Sequence, residues 1–372
     1  MQTLSENKNV AVKKYDTYIS SLKGLACIFV MMGHFLGMLK YSTSLVSVRN
    51  VFNFFETIHI GFIFNESFWL YLFFLISGFL CARTTINNFL SLVEKIIFRF
   101  LRLAIPILLC NTIIFLIYNV VGFHNAETSS IFYNIWFQGA YQEKLSLLML
   151  IKSPIDVLIL SKCYFNSTYW VLRSMFISSI LIYLLSYIFK HINSEKVKTL
   201  IIVLVMVAAY CLDKIIFSCL VGFILTYYRE YIENDISERM LKGLFIFALL
   251  IYFLTQSFIA MIVLFGLLII VVPKINKANN FLSSKKMDYL GKISFGIYAF
   301  HWPLFCSVSS LLFIWLWGSL GLSAFLVTIL FSIIITVLLS VLYYQFVERY
   351  IFILLKKFQM LIHKKDKKKN EV

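Results

Sequence analysis

The sequence predicts an all-α, polytopic integral membrane protein with about ten transmembrane helices and both termini in the cytosol. Three observations carry this prediction. The chain is 372 residues long, 60% hydrophobic and only 14% charged, with 4 prolines, and its mean hydropathy is +0.85. A soluble domain has too little polar surface to cover that much apolar area. Apolar runs of about bilayer-spanning length recur from Thr17 to Phe346,. The basic residues between the runs fall mostly on one side.

The spans are read as 17–39, 60–82, 103–122, 169–189, 199–212, 215–232, 241–255, 257–272, 293–316 and 322–346. Residues 1–16 form a cytosolic N-terminal segment, 17–348 the membrane domain and 349–372 a basic cytosolic tail. The first run follows Lys13 and Lys14, as a signal peptide would. It is too long for one, and no small-residue cleavage site follows, so it reads as an uncleaved signal-anchor. Spans five to eight are short and closely spaced, which leaves room for tilting or merging. With the N-terminus inside, the inner segments hold 26 Lys and Arg and the outer ones six. That bias follows the positive-inside rule, and an odd number of spans breaks it.

The longest connection, about 123–168, faces outward on this reading. It mixes aromatics (Phe132, Tyr133, Trp136, Phe137, Tyr141) with apolar pieces such as 145–151, which suits an interfacial or re-entrant helix. Loops of this length are more often functional than idle. The FFLISGF run, 73–79, reads as close helix packing through Ser77 and Gly78.

Net charge is +16, yet the basic residues sit in short loops and in the KKDKKK run of the tail. That is a topological bias and not a nucleic-acid footprint. The seven cysteines are scattered, with no CxxC pair, so neither a disulfide framework nor a metal site is expected. Asn166-Ser167-Thr168 matches a glycosylation sequon of low specificity. The abundance of Lys, Ile, Asn and Phe suits an AT-rich bacterial gene.

Away from the ends of the apolar runs stand the ionisable residues Lys23, His34, Glu66, Arg173 and His301. A charge near mid-membrane costs on the order of 3 kcal/mol, so such residues usually line a cavity or pathway. Lys23 and His34 are eleven residues apart, about three turns, so they share one face roughly 16 Å apart. Counting along the spans puts His34, Glu66 and Arg173 at similar depth in the outer half of the membrane. His301 falls near mid-membrane and Lys23 near the inner face, where a snorkelling lysine is the plainer reading.

These residues sit in a series of motifs. Lys23 and His34 lie in YDTYISSLKGLACIFVMMGHF; FFLISGF is followed by Arg83; RFLRLAIP carries Arg99, Arg102 and Pro106; YWVLRSMF carries Trp170 and Arg173; KISFGIYAFHWPLF carries Tyr298, His301 and Pro303; VERY closes the set at 347–350. In this order they resemble the acyltransferase 3 family of bacterial polytopic membrane O-acyltransferases, nearly end to end. Two departures stand out. The family usually has Arg where this chain has Lys23, and a rigid fork is not equivalent to a point charge. Many relatives also carry Glu where this chain reads Met175.

The resemblance implies transfer of an acyl group, commonly acetyl from acetyl-CoA and without a metal, to sugar hydroxyls of surface polysaccharides or lipid-linked glycans. The enzyme would work in the bacterial inner membrane. Read as chemistry, the residues make His34 the candidate general base or transient acyl carrier, Glu66 its orienting carboxylate and a candidate substitute for the Glu absent at Met175, and Arg173 or His301 the oxyanion partner. Lys23, Arg83, Arg99 and Arg102 then become donor-binding residues. The sequence leaves open the sugar, the hydroxyl, the acyl chain, a donor such as succinyl-CoA, a small-metabolite acceptor and the oligomeric state. A glycan flippase or exporter would share the spans and buried charge. It would usually spread polar residues along more of them.

Overall fold

The structure, a computed structural model, describes residues 2–42 and 44–370. The side chains of 2–16, 47–48, 132, 230, 233–234 and 362–370 fall outside that description, and with them Lys8, Lys13, Lys14 and the KKDKKK run. The described chain is 86% helical with no strand.

In chain order the helices are α1 Gln2–Lys40, α2 Val46–Thr57, α3 Glu66–Ala82 and α4 Phe89–Val120. The outer connection holds α5 Asn125–Phe132, α6 Ile135–Gln138 and α7 Leu147–Ile155. Then come α8 Trp170–His191, α9 Glu195–Leu212, α10 Lys214–Tyr227, α11 Arg229–Asp235, α12 Glu238–Thr255 and α13 Phe258–Val271. The chain closes with α14 Asn276–Leu282, α15 Lys285–Leu304, α16 Ser310–Leu320, α17 Ser323–Tyr343 and α18 Arg349–Asn370.

Among the described residues, five segments are long and apolar enough to cross a membrane: Thr17–Lys40, Phe89–Val120, Ser167–His191, Lys285–Leu320 and Ser323–Leu361. A sixth is the bent pair Phe258–Lys274 and Asn276–Leu282, which turns by 97°. The bend has a local cause. Pro273 offers no N–H to continue the helix, and Asn279 Nδ2 donates to its carbonyl at 2.8 Å. Helices α3 and α10 are apolar but have 17 and 14 residues.

Several boundaries differ from the sequence reading. The second span starts at Glu66 and not at residue 60, because Asn65 caps the helix there: its Oδ1 accepts from Ser67 N at 2.9 Å and Phe68 N at 3.3 Å,. The RFLRLAIP stretch is not loop. It lies inside α4, so Arg99 and Arg102 project from a helix. The tail is helical to Asn370. The outer connection is packed: Tyr141 stacks on Phe123 with ring centroids 3.7 Å apart, its hydroxyl donates to Phe165 O at 3.1 Å, and burial pushes its phenol well above the usual range.

The chain forms two compact units. The first comprises Met1–Leu92, Ala126–Gly139 and Ser174–Ser294. Its core gathers α1, α3, α12 and α13 around Phe68, whose ring lies 4.7 Å from Phe265 and 5.2 Å from Tyr252. Tyr18 ties α1 to α13 by donating to Leu268 O at 2.9 Å. Helices α3 and α10 meet backbone to backbone at Gly78 and Gly222. A β-carbon on Gly78 would fall 1.8 Å from Cys219 O, and one on Gly222 would fall 2.1 Å from Leu75 O. In lipid, where tails are as apolar as leucine, such close approach is what holds helices together.

The second unit comprises Val93–Asn125, Ala140–Arg173 and Phe295–Val372. Here α15 crosses α17 at Gly296 and Ser340, whose Cβ would be 2.9 Å from a β-carbon on the glycine. Three π-helical segments, Asp156–Leu160, Phe305–Ser309 and Tyr344–Glu348, belong to this unit. The first two follow Pro154 and Pro303, which remove a backbone donor and loosen the turn,.

Candidate active site

In the first unit, the end of α1 is built up by the outer connection. The last carbonyls of a helix lack an intrahelical donor. Asn134, 1% exposed, supplies one: its Nδ2 donates to Met38 O at 2.9 Å and to Gly37 O at 3.4 Å. Its Oδ1 accepts from Phe137 N at 3.0 Å and so starts α6. This clamp lays Trp136 beside α1, with its ring 6.3 Å from that of His34.

One residue before His34, α1 meets the start of α3. A β-carbon on Gly33 would stand 2.9 Å from both N and Cβ of Glu66. The bare glycine thus lets Glu66 come alongside the His34 turn. Glu66 is the first residue of α3, where unsatisfied amides and the helix dipole favour a carboxylate,. Its charge reaches the mouth of α1: the Tyr41 phenol is pushed up, first by burial and next by Glu66. Lys40, at the same end, pairs with Glu56 at 2.7 Å. Both His34 and Glu66 are half-buried.

Lys23 is half-buried on α1. It precedes Gly24, where a β-carbon would lie 2.7 Å from Gly291 N of α15. Arg83 is the C-cap of α3 and is exposed.

In the second unit, His301 is wholly buried. Its Nδ1 lies 3.0 Å from Ile297 O and 2.9 Å from Tyr298 O. A carbonyl only accepts, so Nδ1 carries the hydrogen and Nε2 carries the lone pair of the neutral ring. That tautomer suits taking up a proton at Nε2 better than donating to an oxyanion. The turn bearing His301 is pinned from the 166–169 segment. Asn166 Nδ2 donates to Ala299 O at 2.8 Å, the Tyr298 hydroxyl donates to Thr168 O, and the Tyr169 and Tyr298 rings stack at 5.7 Å. Asn166 is fully buried, and its Oδ1 accepts from Thr168 N and Oγ1. The sequon asparagine is therefore a structural clamp.

Arg173 lies one turn beyond Tyr169 on α8 and is exposed. On α4, the Arg102 guanidinium stands 4.9 Å from the Phe352 ring of α18. Gln359 Nε2 donates to Glu94 Oε1 at 2.8 Å on the same pair of helices. Arg99 is half-buried on α4.

In the first unit the turn of α1 that carries His34 meets the start of α3 where Gly33 faces Glu66, whereas Arg173 and His301 belong to the second, where Tyr298 beside His301 stacks on Tyr169. Sequence reasoning passed over Asn134 and Asn166 as site builders. The signal was there: each precedes a short helical turn, as capping residues do. Among the described residues, no group of three or more His, Cys, Asp and Glu could hold a metal ion, and none of the seven cysteines is in a disulfide.

The profile of the family described as "Acyltransferase domain" matches residues 16–345. No curated protein and no solved structure matches the chain. The match takes in most of α1 and runs through α17, with His34, His301, Glu66, Lys23, Arg83, Arg99, Arg102 and Arg173, and the long apolar helices set the chain in a bilayer. The chain belongs to the acyltransferase 3 family and is a multi-pass membrane acyltransferase.

Proposed function

We propose that the protein transfers acetyl from acetyl-CoA to a sugar hydroxyl of a cell-surface polysaccharide, such as O-antigen, capsule or exopolysaccharide. The setting is the bacterial inner membrane, with about ten spans and both termini cytosolic. The observation that carries this reading is the close approach of Glu66 to Gly33, the residue before His34. An alcohol is a poor nucleophile at neutral pH and needs a base within reach. His34 takes that role, and Glu66 orients it and stabilises the imidazolium. Arg173, an exposed guanidinium, serves the developing oxyanion. His301 serves proton uptake. Trp136, beside His34, offers a face on which a sugar ring can stack. Lys23, Arg83, Arg99 and Arg102 hold the phosphates of the donor.

The test uses membranes without a potential. Radiolabel from acetyl-CoA is expected on glycan in membranes that contain the protein and not in membranes that lack it. Glycan that stays unlabelled with acetyl-CoA and becomes labelled with succinyl-CoA changes the donor. Glycan that stays unmodified with either favours an exporter and removes the enzyme reading.

A further inference from the structure

A cavity of about 320 Å³ lies within the first unit, between α10, α12 and α13, with α11 and the turn after it at one end. Every described residue that lines it is Phe, Val, Leu, Ile or Gly. Apolar cavities of roughly half that size stay dry and take up apolar molecules in place of water. Left empty, the walls forgo the dispersion contacts that close packing supplies.

Three features identify the occupant. The first is length. Along α13 the lining runs from Ile259 to Ile270, which is roughly 16 Å of helix. One leaflet of the hydrocarbon core, half of the whole, is roughly 15 Å thick. The second is the way in. Ile259 and Val263 on α13 are 44% and 49% exposed, whereas Leu241 and Ile262 are 1% and 3%. The cavity therefore opens sideways, through a face that a membrane helix turns to lipid. The third is the contrast between its ends. At one, Leu241 and Ile270 pack with Ile232 and Ile236, and the flanking residues carry both signs of charge: Asp235, Glu238, Arg239, Lys242 and Lys274. At the other, the Phe217 ring packs against those of Tyr210 and Phe258, 5.4 and 5.8 Å away.

Gly266 supplies the room. Gly78 and Gly222 are spent on bringing two backbones together, the usual use of glycine between membrane helices. A β-carbon on Gly266 would meet no other backbone. Its neighbours would be Leu225 Cδ1 at 3.4 Å and Cδ2 at 3.8 Å, the far end of a side chain that also lines the cavity. The missing side chain widens the slot and draws no helix closer.

We propose that this slot binds one acyl chain of a zwitterionic phospholipid, with its terminal methyl toward Phe217 and its head beside Glu238 and Lys242. Those two side chains already pair with each other at 2.5 Å, so the rim offers an anion to the ammonium of the head and a cation to its phosphate. In the topology proposed above the head lies in the inner leaflet. The site itself stands apart from the acyl-transfer reading.

Photocrosslinking locates the chain. The intact protein is reconstituted in vesicles of phosphatidylethanolamine that include a probe of the same lipid with a diazirine near the chain end, and adducts are mapped by peptide mass spectrometry. Val221, Leu225 and Leu267 of the lining are expected to carry several times more adduct than Leu330 and Ile334 of α17, which are 62% and 65% exposed and sample bulk lipid. Equal yields overturn the site. Gly266→Leu puts a branched side chain into the slot and should bring the lining down to the level of α17. Val263→Trp adds bulk at the half-exposed mouth, and it should do the same even where Gly266→Leu expresses poorly. Adducts unchanged in Val263→Trp show that the chain lies elsewhere, and end the proposal. Stronger labelling by an anionic phosphatidylglycerol probe overturns the choice of head. Displacement of the probe by a polyprenyl phosphate, at a ratio where added phosphatidylethanolamine has no effect, gives the slot to an isoprenoid chain instead.

Discussion

His34→Ala is expected to lower acyl transfer by about 10²–10⁴-fold, the usual contribution of a well-placed general base. The protein itself should still insert and fold. His34 is half-buried, with Trp136 beside it at 6.3 Å, and α1 is anchored elsewhere by Tyr18 and Asn134. Glu66→Gln keeps the size of the side chain and removes its charge, so it should lower turnover while leaving donor affinity unchanged. If Glu66 acts through the imidazole, the double variant loses little more than His34→Ala alone, because residues that work as a unit are non-additive. Initial rates on purified protein of confirmed fold measure this. Wild-type rates in His34→Ala would take that residue out of the chemistry.

The second large effect is structural. Gly78→Ala places a methyl group 1.8 Å from Cys219 O. A backbone carbonyl cannot swing aside as a side chain can, so α3 and α10 must part. Overpacking commonly costs about 1–3 kcal/mol, and a backbone clash lies at or beyond the top of that range. Set against a total stability of about 5–15 kcal/mol, this should strongly reduce the yield of monodisperse protein and its unfolding temperature. Gly243→Ala is the control: nothing lies within 4 Å of its would-be β-carbon, so the change should be neutral or slightly stabilising through helix propensity. Equal behaviour of the two variants would contradict the close crossing.

Hydropathy and motif order were enough to read the class of fold and the family. Close packing at Gly78 was legible too, because a small residue inside an apolar run has few other uses. Helix ends were less so. Glu66 and Arg102 look alike in a hydropathy count, yet Asn65 ends a turn before the first, and nothing ends the helix before the second. Equal depth of His34 and Glu66 follows from counting residues, but the approach of Glu66 to α1 depends on which face of that helix carries Gly33. Arg173 falls in the other compact unit and is exposed, which a count of depth along the spans does not register. The clamps at Asn134 and Asn166 join residues far apart in the chain, 96 positions in the first case and 133 in the second. Only the fold brings such pairs together.

The shortness of α3 and α10 has a further result. Helices of 17 and 14 residues measure about 25 and 21 Å, against a hydrocarbon core of about 30 Å. Locked together through bare glycines, they match that core, in the topology proposed above, only where the lipid around them thins. The first unit should therefore dimple the bilayer, and the hydrophobic mismatch sets a preference for short-chain lipids. Turnover measured across vesicles of increasing acyl length should decline as the sheet thickens, and a flat profile would show that no dimple is needed.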